Sequence, residues 1–171
     1  MRVKKVDLQE NMNEYNKYKS SVDYYEVLEI QSNGGFAFAH KKADLNDLSL
    51  NTEIATILAK NGDRVLIRSH KKTGKNPELE INGELSDIKT PKKENSINNG
   101  FSHAQAQGIN TFVSDLRLNH TRENLIYGIK NGFRHNKYIN SVKFVKKQTV
   151  VEITRKMYES GDYKKEIQKL F

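Results

Sequence analysis

The chain has no cysteine, no internal repeat and no linker of low complexity in its 171 residues. Without cysteine, disulfide bonds and cysteine-ligated zinc sites are excluded. The amino-terminal residues are charged and polar, without the apolar stretch of a secretory signal. No run of about 18 apolar residues is present, so we expect no membrane span. The default expectation is a soluble intracellular protein, although a segment cut from a larger exported protein would look the same.

Acidic residues are outnumbered by basic ones, at 21 Asp and Glu against 29 Lys and Arg, which gives a net charge of +8. A basic surface favours a polyanionic partner, because neutralising phosphates releases their bound counterions. Charge alone does not distinguish nucleic acid from no charged partner at all. The length suffices for one domain with a hydrophobic core, and its apolar residues are spread along the chain, which argues against global disorder.

The hydrophobic pattern predicts alternating strands and helices in one domain over residues 23–171. Residues 1–22 are polar and are predicted to form a leading helix or a loosely attached extension. Strands are predicted at 24–30, 36–40, 64–68, 79–81, 85–89, 111–116, 141–145 and 149–153, and helices at about 50–61, 95–107, 121–134 and 155–170. This alternation is typical of a mixed α/β sheet flanked by helices.

Two acidic residues and one lysine flank a predicted tight turn. The Asn82-Gly83 pair is a strong hairpin signal between two short apolar runs. Asp87 and Lys89 are two residues apart, so on a strand they face the same side. Because the hairpin folds Glu78 back toward that strand, we expect these three charged groups to converge.

Such a cluster has the composition that phosphodiester hydrolysis requires. Two carboxylates can hold a hard divalent cation such as Mg²⁺ or Mn²⁺ through oxygen ligands. The cation polarises the phosphate and lowers the pKa of bound water. Lys89 can position that water, help to deprotonate it and offset phosphate charge. The cluster therefore predicts metal-dependent cleavage of nucleic acid.

Pro77-Glu78 followed by Asp87-Ile88-Lys89 resembles the PD-(D/E)XK motif of the restriction-endonuclease-like nuclease superfamily. The longer run 75–91 is similar to the C-terminal tRNase domain of CdiA, the contact-dependent growth-inhibition toxin, and to related domains of phages and mobile elements. The resemblance covers about residues 24–153 and implies a restriction-endonuclease-like single domain. Two positions depart from the motif, since the first acid, usually Asp, is Glu78, and the second, often Glu, is Asp87.

The resemblance also implies two further members of the site. Glu53 resembles a metal ligand that related nucleases supply from the preceding helix, whose start Asn51 or Ser49 could cap. The alternative for Glu53 is a solvated acid in the first helical turn. Gln107 resembles a glutamine that the family carries near its active centre, and Gln105 is the alternative.

Basic residues on both sides of the motif are candidates for binding a phosphate backbone, although charge runs are more often solvated loops. His103 lies four residues before Gln107 and shares its helix face, so it either contacts phosphate or is an ordinary surface histidine. The candidate nucleic-acid-binding residues are Lys71, Lys72, Lys75, Lys92, Lys93 and His103.

The expected function is a metal-dependent endonuclease, with Glu78, Asp87, Lys89, Glu53 and Gln107 in the site. The resemblance favours RNA such as tRNA as substrate, and implies a toxin delivered as the C-terminal part of an exported protein, acting in the cytoplasm. A toxin of this kind would need an immunity protein. The alternatives are a DNA endonuclease of a phage or mobile element, and a decayed nucleic-acid-binding or phage accessory protein.

Overall fold

The computed structural model describes residues 7–71, 73–74, 76–93 and 96–171. The chain divides into two compact units, the first made of Met1–Gly74 with Glu78–Glu84 and the second of Lys75–Pro77 with Leu85–Phe171. Two mixed sheets are flanked by helices, so the predicted α/β architecture is confirmed. None of the helices among the described residues combines the length and apolar character needed to cross a membrane.

The first sheet has the strand order β1-β2-β3-β4-β5. Its strands are β1 (Tyr24–Leu28), β2 (Phe36–His40), β3 (Arg64–Ile67), β4 (Leu79–Ile81) and β5 (Glu84–Ser86). β1 and β2 form the predicted antiparallel hairpin. β2 and β3 are parallel, and helix α2 (Leu48–Lys60) connects them. The predicted turn between β4 and β5 is confirmed, since Asn82 (φ 53°) and Gly83 (φ 88°) both adopt the positive φ that such a turn needs.

The polar amino-terminal segment forms helix α1 (Leu8–Lys19), one of the two predicted alternatives. The Asp7 carboxylate accepts hydrogen bonds from the first backbone N–H groups of the helix. Tyr15 is buried and packs its ring against Phe36 and Phe38, with centroid distances of 5.7 and 5.4 Å. The helix thus contributes to the core of the first unit, while the domain boundary predicted after residue 22 stays a prediction.

Helix α2 begins earlier than the sequence indicated. Asp47 occupies the N-cap position, so the prediction that Asn51 or Ser49 caps the helix is wrong. Ile54 and Leu58 are buried as their spacing predicted. Asn51 lies on the same buried side of the helix, which gives it a role in the site described below.

The second sheet has the order β6-β7-β8-β9 and consists of β6 (Ile88–Lys89), β7 (Thr111–Asp115), β8 (Ser141–Lys146) and β9 (Thr149–Thr154). β6, β7 and β8 are parallel. Helices α3 (Ile97–Ala106) and α4 (Arg122–His135) make the two crossovers, close to their predicted positions. β8 and β9 form the predicted antiparallel hairpin.

Glycines allow α3 and α4 to approach each other closely. A Cβ atom at Gly132 would lie 2.3 Å from the Phe101 ring, and one at Gly128 would lie 2.6 Å from Ile97 Cβ. These distances are far below van der Waals contact, so only glycine fits without moving the helices. The packing fixes α3, which carries His103 and is followed directly by Gln107.

The carboxyl-terminal helix predicted over 155–170 is wrong as one continuous element. The segment forms α5 (Arg155–Ser160), α6 (Tyr163–Glu166) and a 3₁₀ helix (Ile167–Leu170). Gly161 has φ 84° and ends α5 in the left-handed region. The break lets Tyr163 bury its ring in the core of the second unit.

Candidate functional site

The strand predicted over 85–89 is interrupted at Asp87. β5 ends at Ser86 in the first sheet, and β6 begins at Ile88 in the second. Asp87 is therefore the residue at which the chain leaves one sheet and enters the other. The prediction of one strand is therefore wrong, and both residues of β6 are half-buried.

The Asp87 side chain is 8% exposed, and its carboxylate is surrounded by hydrogen-bond donors. Its Oδ1 accepts the backbone N–H of Ile88 at 3.0 Å. Its Oδ2 accepts from Lys89 Nζ at 2.6 Å and from Gln107 Nε2 at 2.7 Å. The second unit thus brings together three of the five residues that the sequence assigned to the site.

This arrangement compensates the burial of charge. A carboxylate taken out of water costs several kcal/mol unless donors replace its hydration. Charge-assisted hydrogen bonds such as that from Lys89 are short and strong. The Lys89 side chain is itself largely buried, so each member of the ion pair depends on the other. Removing either one leaves a buried charge without its counter-ion.

Gln107 follows the last residue of α3 and presents both ends of its amide to different surroundings. Its Nε2 donates to Asp87, while its Oε1 is buried and has no hydrogen-bond partner in the described part of the chain. The alternative glutamine, Gln105, instead accepts the Tyr138 backbone N–H at 3.4 Å. Gln107 is thus the glutamine of this helix that reaches Asp87, and its Oε1 is an acceptor that a ligand could satisfy.

The oxygen atoms of Asp87 and Gln107 have the chemistry that a hard divalent cation prefers. Mg²⁺ and Mn²⁺ bind carboxylate and amide oxygens, and Mg²⁺ often takes few protein ligands and keeps several waters. The buried Oε1 of Gln107 accepts no hydrogen bond from any described residue, so it is available as a ligand. Within those residues, no group of three or more His, Asp or Glu side chains is gathered that could hold a metal. The oxygen atoms of Asp87 and Gln107 are therefore ligands of the type that such a cation binds.

A cationic cleft of about 510 Å³ borders this cluster. It lies between the end of β6, the segment that follows it, and α3. Lys89, Lys92, Lys93 and His103 contribute its basic side chains, and its other lining residues are Ile88, Thr90, Pro91, Ser96, Asn99 and Gly100. Three predicted nucleic-acid-binding residues therefore share one cleft with the predicted catalytic lysine. Their role in binding stays a prediction.

Ser114 is a residue near this cluster that the sequence reading missed. It lies directly opposite Lys89 in the parallel β6–β7 register. Its hydroxyl is buried and has no partner among the described residues. A serine directly after the apolar pair Phe112-Val113 of a predicted strand is the signal that could have marked it.

In the first unit, the Glu78 side chain is hydrogen-bonded to Asn51, a residue that the sequence suggested only as a helix cap. Its Oε2 accepts a hydrogen bond from Asn51 Nδ2 at 3.0 Å, and its backbone oxygen accepts the Arg68 N–H at 2.8 Å. Asn51 is 2% exposed, and its Oδ1 has no partner among the described residues. A polar residue three positions before Ile54, on the apolar face of a helix, is the signal that could have identified this contact.

Glu53 lies two residues beyond Asn51 on α2 and is exposed. Because α2 begins at Leu48, the alternative of an acid in the first helical turn is wrong. Glu78 and Glu53 belong to the first unit and Asp87 to the second. The convergence of Glu78 with Asp87 and Lys89, and the metal-binding role of Glu53, stay predictions.

The basic segment that follows β3 also belongs to the first unit. Lys71 is exposed, and His70 Nδ1 lies 3.2 Å from Asp44 Oδ2. Lys72 and Lys75 lie outside the described residues. The nucleic-acid-binding roles of these lysines remain untested.

Comparison with known proteins supports part of the resemblance. Residues 75–151, a little less than half of the chain, match the model of the family described as the contact-dependent growth inhibition CdiA C-terminal domain. A solved structure, the CdiA-CT/CdiI toxin and immunity complex from Burkholderia pseudomallei, matches at 18% identity and a TM-score of 0.49. That match covers 64% of this chain and 85% of the other. No curated protein matches the chain.

Proposed function

We propose that this protein is a metal-dependent nuclease of the PD-(D/E)XK type, whose chemical centre includes Asp87, Lys89 and Gln107. The observation that carries the proposal is the buried Asp87 carboxylate, bound at one oxygen by both the Lys89 ammonium and the Gln107 amide. A carboxylate and a lysine beside an open cationic cleft are the residue types that can position a phosphate and offset its negative charge. The segment matched by the CdiA family model contains all three residues.

Each of these side chains has a distinct task in the proposed reaction. Gln107 orients the Asp87 carboxylate through its Nε2 and keeps its Oε1 as an oxygen ligand. Lys89 donates to a phosphate oxygen or to the attacking water, and its charge offsets the negative charge that develops at the phosphorus. Asp87 holds the Lys89 ammonium in position and supplies carboxylate oxygen to the metal.

Asp87 and Gln107 would hold Mg²⁺ or Mn²⁺. The bound cation would lower the pKa of water and polarise the phosphate. Lys92, Lys93 and His103 in the adjoining cleft would bind the phosphate backbone on either side of the scissile bond. From the motif resemblance, we propose that Glu78 and Glu53 serve the same reaction.

We further propose RNA, with tRNA as the specific class, as the substrate and growth inhibition of bacteria as the biological effect. The growth-inhibition family that residues 75–151 match supports the effect. Such an enzyme would act in the cytoplasm of a target cell after delivery as part of a larger exported protein. Because nucleic acid of the producing cell would be equally susceptible, that cell requires an immunity protein that blocks the site.

The test is incubation of the purified protein with total RNA and with plasmid DNA, in Mg²⁺, in Mn²⁺ and in EDTA. We expect metal-dependent cleavage of RNA that is lost in Asp87→Asn and in Lys89→Met. Glu84→Gln is the matched control, since Glu84 is exposed and lies three residues from Asp87. Cleavage of DNA instead of RNA would contradict the proposed substrate. If the wild type cleaved neither, the proposed enzymatic activity would be wrong.

A binding module that has lost catalysis would give a different result in the same assay. It would bind RNA or DNA in a salt-sensitive manner without a metal-dependent product. Asp87→Asn would leave its affinity unchanged, because Asp87 is not among the residues that line the cationic cleft. Gel-shift measurements beside the cleavage assay separate these two functions.

A further inference from the structure

A second polar pocket, of about 470 Å³, lies at the carboxyl end of α3 in the second unit. We call it the amide pocket, because three of its lining side chains are amides. Its lining residues are Gln105, Gly108, Ile109, Asn110, Lys137, Tyr138 and Asn140. None of these residues lines the cationic cleft or takes part in the proposed reaction.

The parallel strands β7 and β8 explain why two of the amides are neighbours. Asn110 and Asn140 each immediately precede one of these strands, whose first residues pair in register. The Asn140 backbone N–H donates to the Asn110 carbonyl oxygen at 2.6 Å. Their side chains therefore enter the pocket from adjacent strands at the same edge of the sheet.

The third amide is oriented by one long hydrogen bond. The Oε1 of Gln105 accepts the Tyr138 backbone N–H at 3.4 Å. This bond uses the acceptor of the amide, so its NH₂ group is the end that can donate to a ligand. Amide side chains offer a donor and an acceptor side by side, the pattern that the edges of nucleobases complement.

An aromatic ring stands at the rim of this pocket. Tyr138 is 77% exposed, which makes it the most exposed aromatic side chain among the described residues. An exposed ring beside hydrogen-bonding side chains is the platform on which single-stranded bases stack. Lys137 next to it can neutralise an adjoining phosphate, and the buried Ile109 supplies an apolar wall.

Arg155 orders the turn that carries Lys137 and Tyr138 through hydrogen bonds to the backbone around it. The Arg155 guanidinium donates to the carbonyl oxygens of Phe133 (3.2 Å), Asn136 (2.6 Å) and Ile139 (2.9 Å). Its backbone N–H donates to the Asn140 carbonyl at 2.7 Å. A rim that is already ordered loses little conformational entropy when a ligand binds, so these contacts favour affinity.

We infer that the amide pocket binds one unpaired nucleobase of the nucleic-acid substrate, with the base stacked on Tyr138 and its edge bonded to Gln105, Asn110 and Asn140. This inference rests on the proposed nuclease function and deepens it. Gln105 lies two residues from Gln107, so one helix end serves the base and the scissile phosphate. A duplex exposes the face and edge of a base in this way only after the base is flipped out of the stack at an energetic cost, which makes single-stranded regions the favoured substrate class.

The experiment is an NMR titration of the isotope-labelled wild-type protein with each of the four ribonucleoside 5′-monophosphates, and with ribose 5-phosphate as the base-free probe. We expect the nucleotides, and not ribose 5-phosphate, to shift the backbone resonance of Gly108 and the side-chain amides of Asn110 and Asn140. Equal shifts from ribose 5-phosphate would overturn base recognition in favour of phosphate binding. No shift at these groups at millimolar nucleotide would overturn the pocket.

Variants of Tyr138 then test the stacking. We expect Tyr138→Ala to weaken nucleotide binding about tenfold or more, and Tyr138→Phe to change it less than about twofold, because the ring is retained. Tyr127→Ala is the control, since Tyr127 is also exposed but lies on α4 outside the amide pocket. Equal affinities of Tyr138→Ala and the wild type would contradict stacking on this ring.

The two proposals fail separately in these measurements. Mononucleotides contain no internucleotide bond, so their binding does not depend on the chemistry at Asp87. Nucleotide binding without any RNA cleavage would support the amide pocket and contradict the nuclease function. RNA cleavage by a protein whose amide pocket binds no nucleotide would support the nuclease function and contradict the amide pocket.

Discussion

Gln107 donates a hydrogen bond of 2.7 Å from its Nε2 to Asp87 Oδ2, across 20 residues of sequence. The same oxygen accepts from Lys89. The carboxylate therefore has a fixed orientation set by one neutral and one charged donor. The buried Oε1 of Gln107 adds an acceptor at the same place. The chemistry that we propose for this protein depends on that contact.

We predict that Gln107→Ala lowers the rate of RNA cleavage about 10- to 100-fold, because the carboxylate that binds the metal loses its orienting donor. The metal concentration needed for half-maximal rate should rise in parallel. Gln168→Ala, an exposed glutamine of the 3₁₀ helix, serves as control. A folded Gln107→Ala protein with an unchanged rate and metal dependence would remove Gln107 from the site.

We predict that Lys92→Ala combined with Lys93→Ala weakens RNA binding and lowers its salt dependence. Each lost phosphate contact reduces the slope of log affinity against log salt by about 0.7 to 0.9, so two contacts reduce it by about 1.4 to 1.8. The measurement is fluorescence anisotropy at several salt concentrations in the Asp87→Asn background, which prevents cleavage. The matched control exchanges the exposed Lys156 and Lys164. Identical slopes for both double variants would place the RNA elsewhere.

We predict that the Asn51–Glu78 hydrogen bond stabilises the first unit. Asn51→Ala removes the donor to Glu78 Oε2, and losing a hydrogen bond to a charged group costs about 1.5 to 3 kcal/mol. In a double-mutant cycle with Glu78→Gln, urea unfolding should show a coupling energy of about 1 kcal/mol. Asn46→Ala, at an exposed position, is the control. Strictly additive effects would mean that the two side chains do not interact.

The same cycle, read by cleavage rate, tests the predicted role of Glu78 in the reaction. If Glu78 is a metal ligand that Asn51 orients, both single variants lower the rate, and the double variant is no slower than Glu78→Gln alone. Stability and activity are measured on the same proteins, so a loss of fold is distinguished from a loss of chemistry. A fully active Glu78→Gln protein would contradict the motif assignment at this position.

We predict that two partly buried tyrosines make the protein sensitive to alkali. Burial raises the pKa of Tyr18 and of Tyr24, and the neighbouring Glu80 carboxylate raises the pKa of both further. A raised pKa means that the fold favours the neutral phenol. The resulting stability is present below the unfolded pKa of about 10 and is lost as pH rises through the folded pKa.

Urea unfolding between about pH 9 and pH 11.5 measures this effect. The unfolding midpoint of Tyr24→Phe should fall less steeply over this range than that of the wild type, since phenylalanine does not ionise. Glu80→Gln should also reduce the loss, because it removes a cause of the raised pKa. The control is Tyr127→Phe, whose ring is exposed. Parallel pH profiles for all four proteins would assign the alkaline loss to other groups.

Local sequence determined the parts of this protein that depend on neighbouring residues. The Asn82-Gly83 pair specified its turn, because both residues tolerate the positive φ found there. Apolar spacing identified the buried faces of α2, α3 and α4, since the helical period places residues three and four apart on one side. The basic residues around the motif were equally visible, and three of them do line one cleft.

Long-range packing decided the rest. The pattern from Leu85 to Lys89 looks like one strand, yet pairing with two different sheets breaks it at Asp87. Burial of Tyr163, and the left-handed Gly161 before it, likewise divides a segment with helical spacing.

Polar partners were also invisible from spacing. Asn51 was expected to cap a helix, but α2 extends past it and directs its amide at Glu78. Arg155 carried no sequence signal, although it binds three carbonyl oxygens. Local residue patterns thus predicted most helices and strands and the residues of the motif. The donor that each buried polar group meets could not be predicted in this way, because it depends on residues brought together from distant parts of the chain.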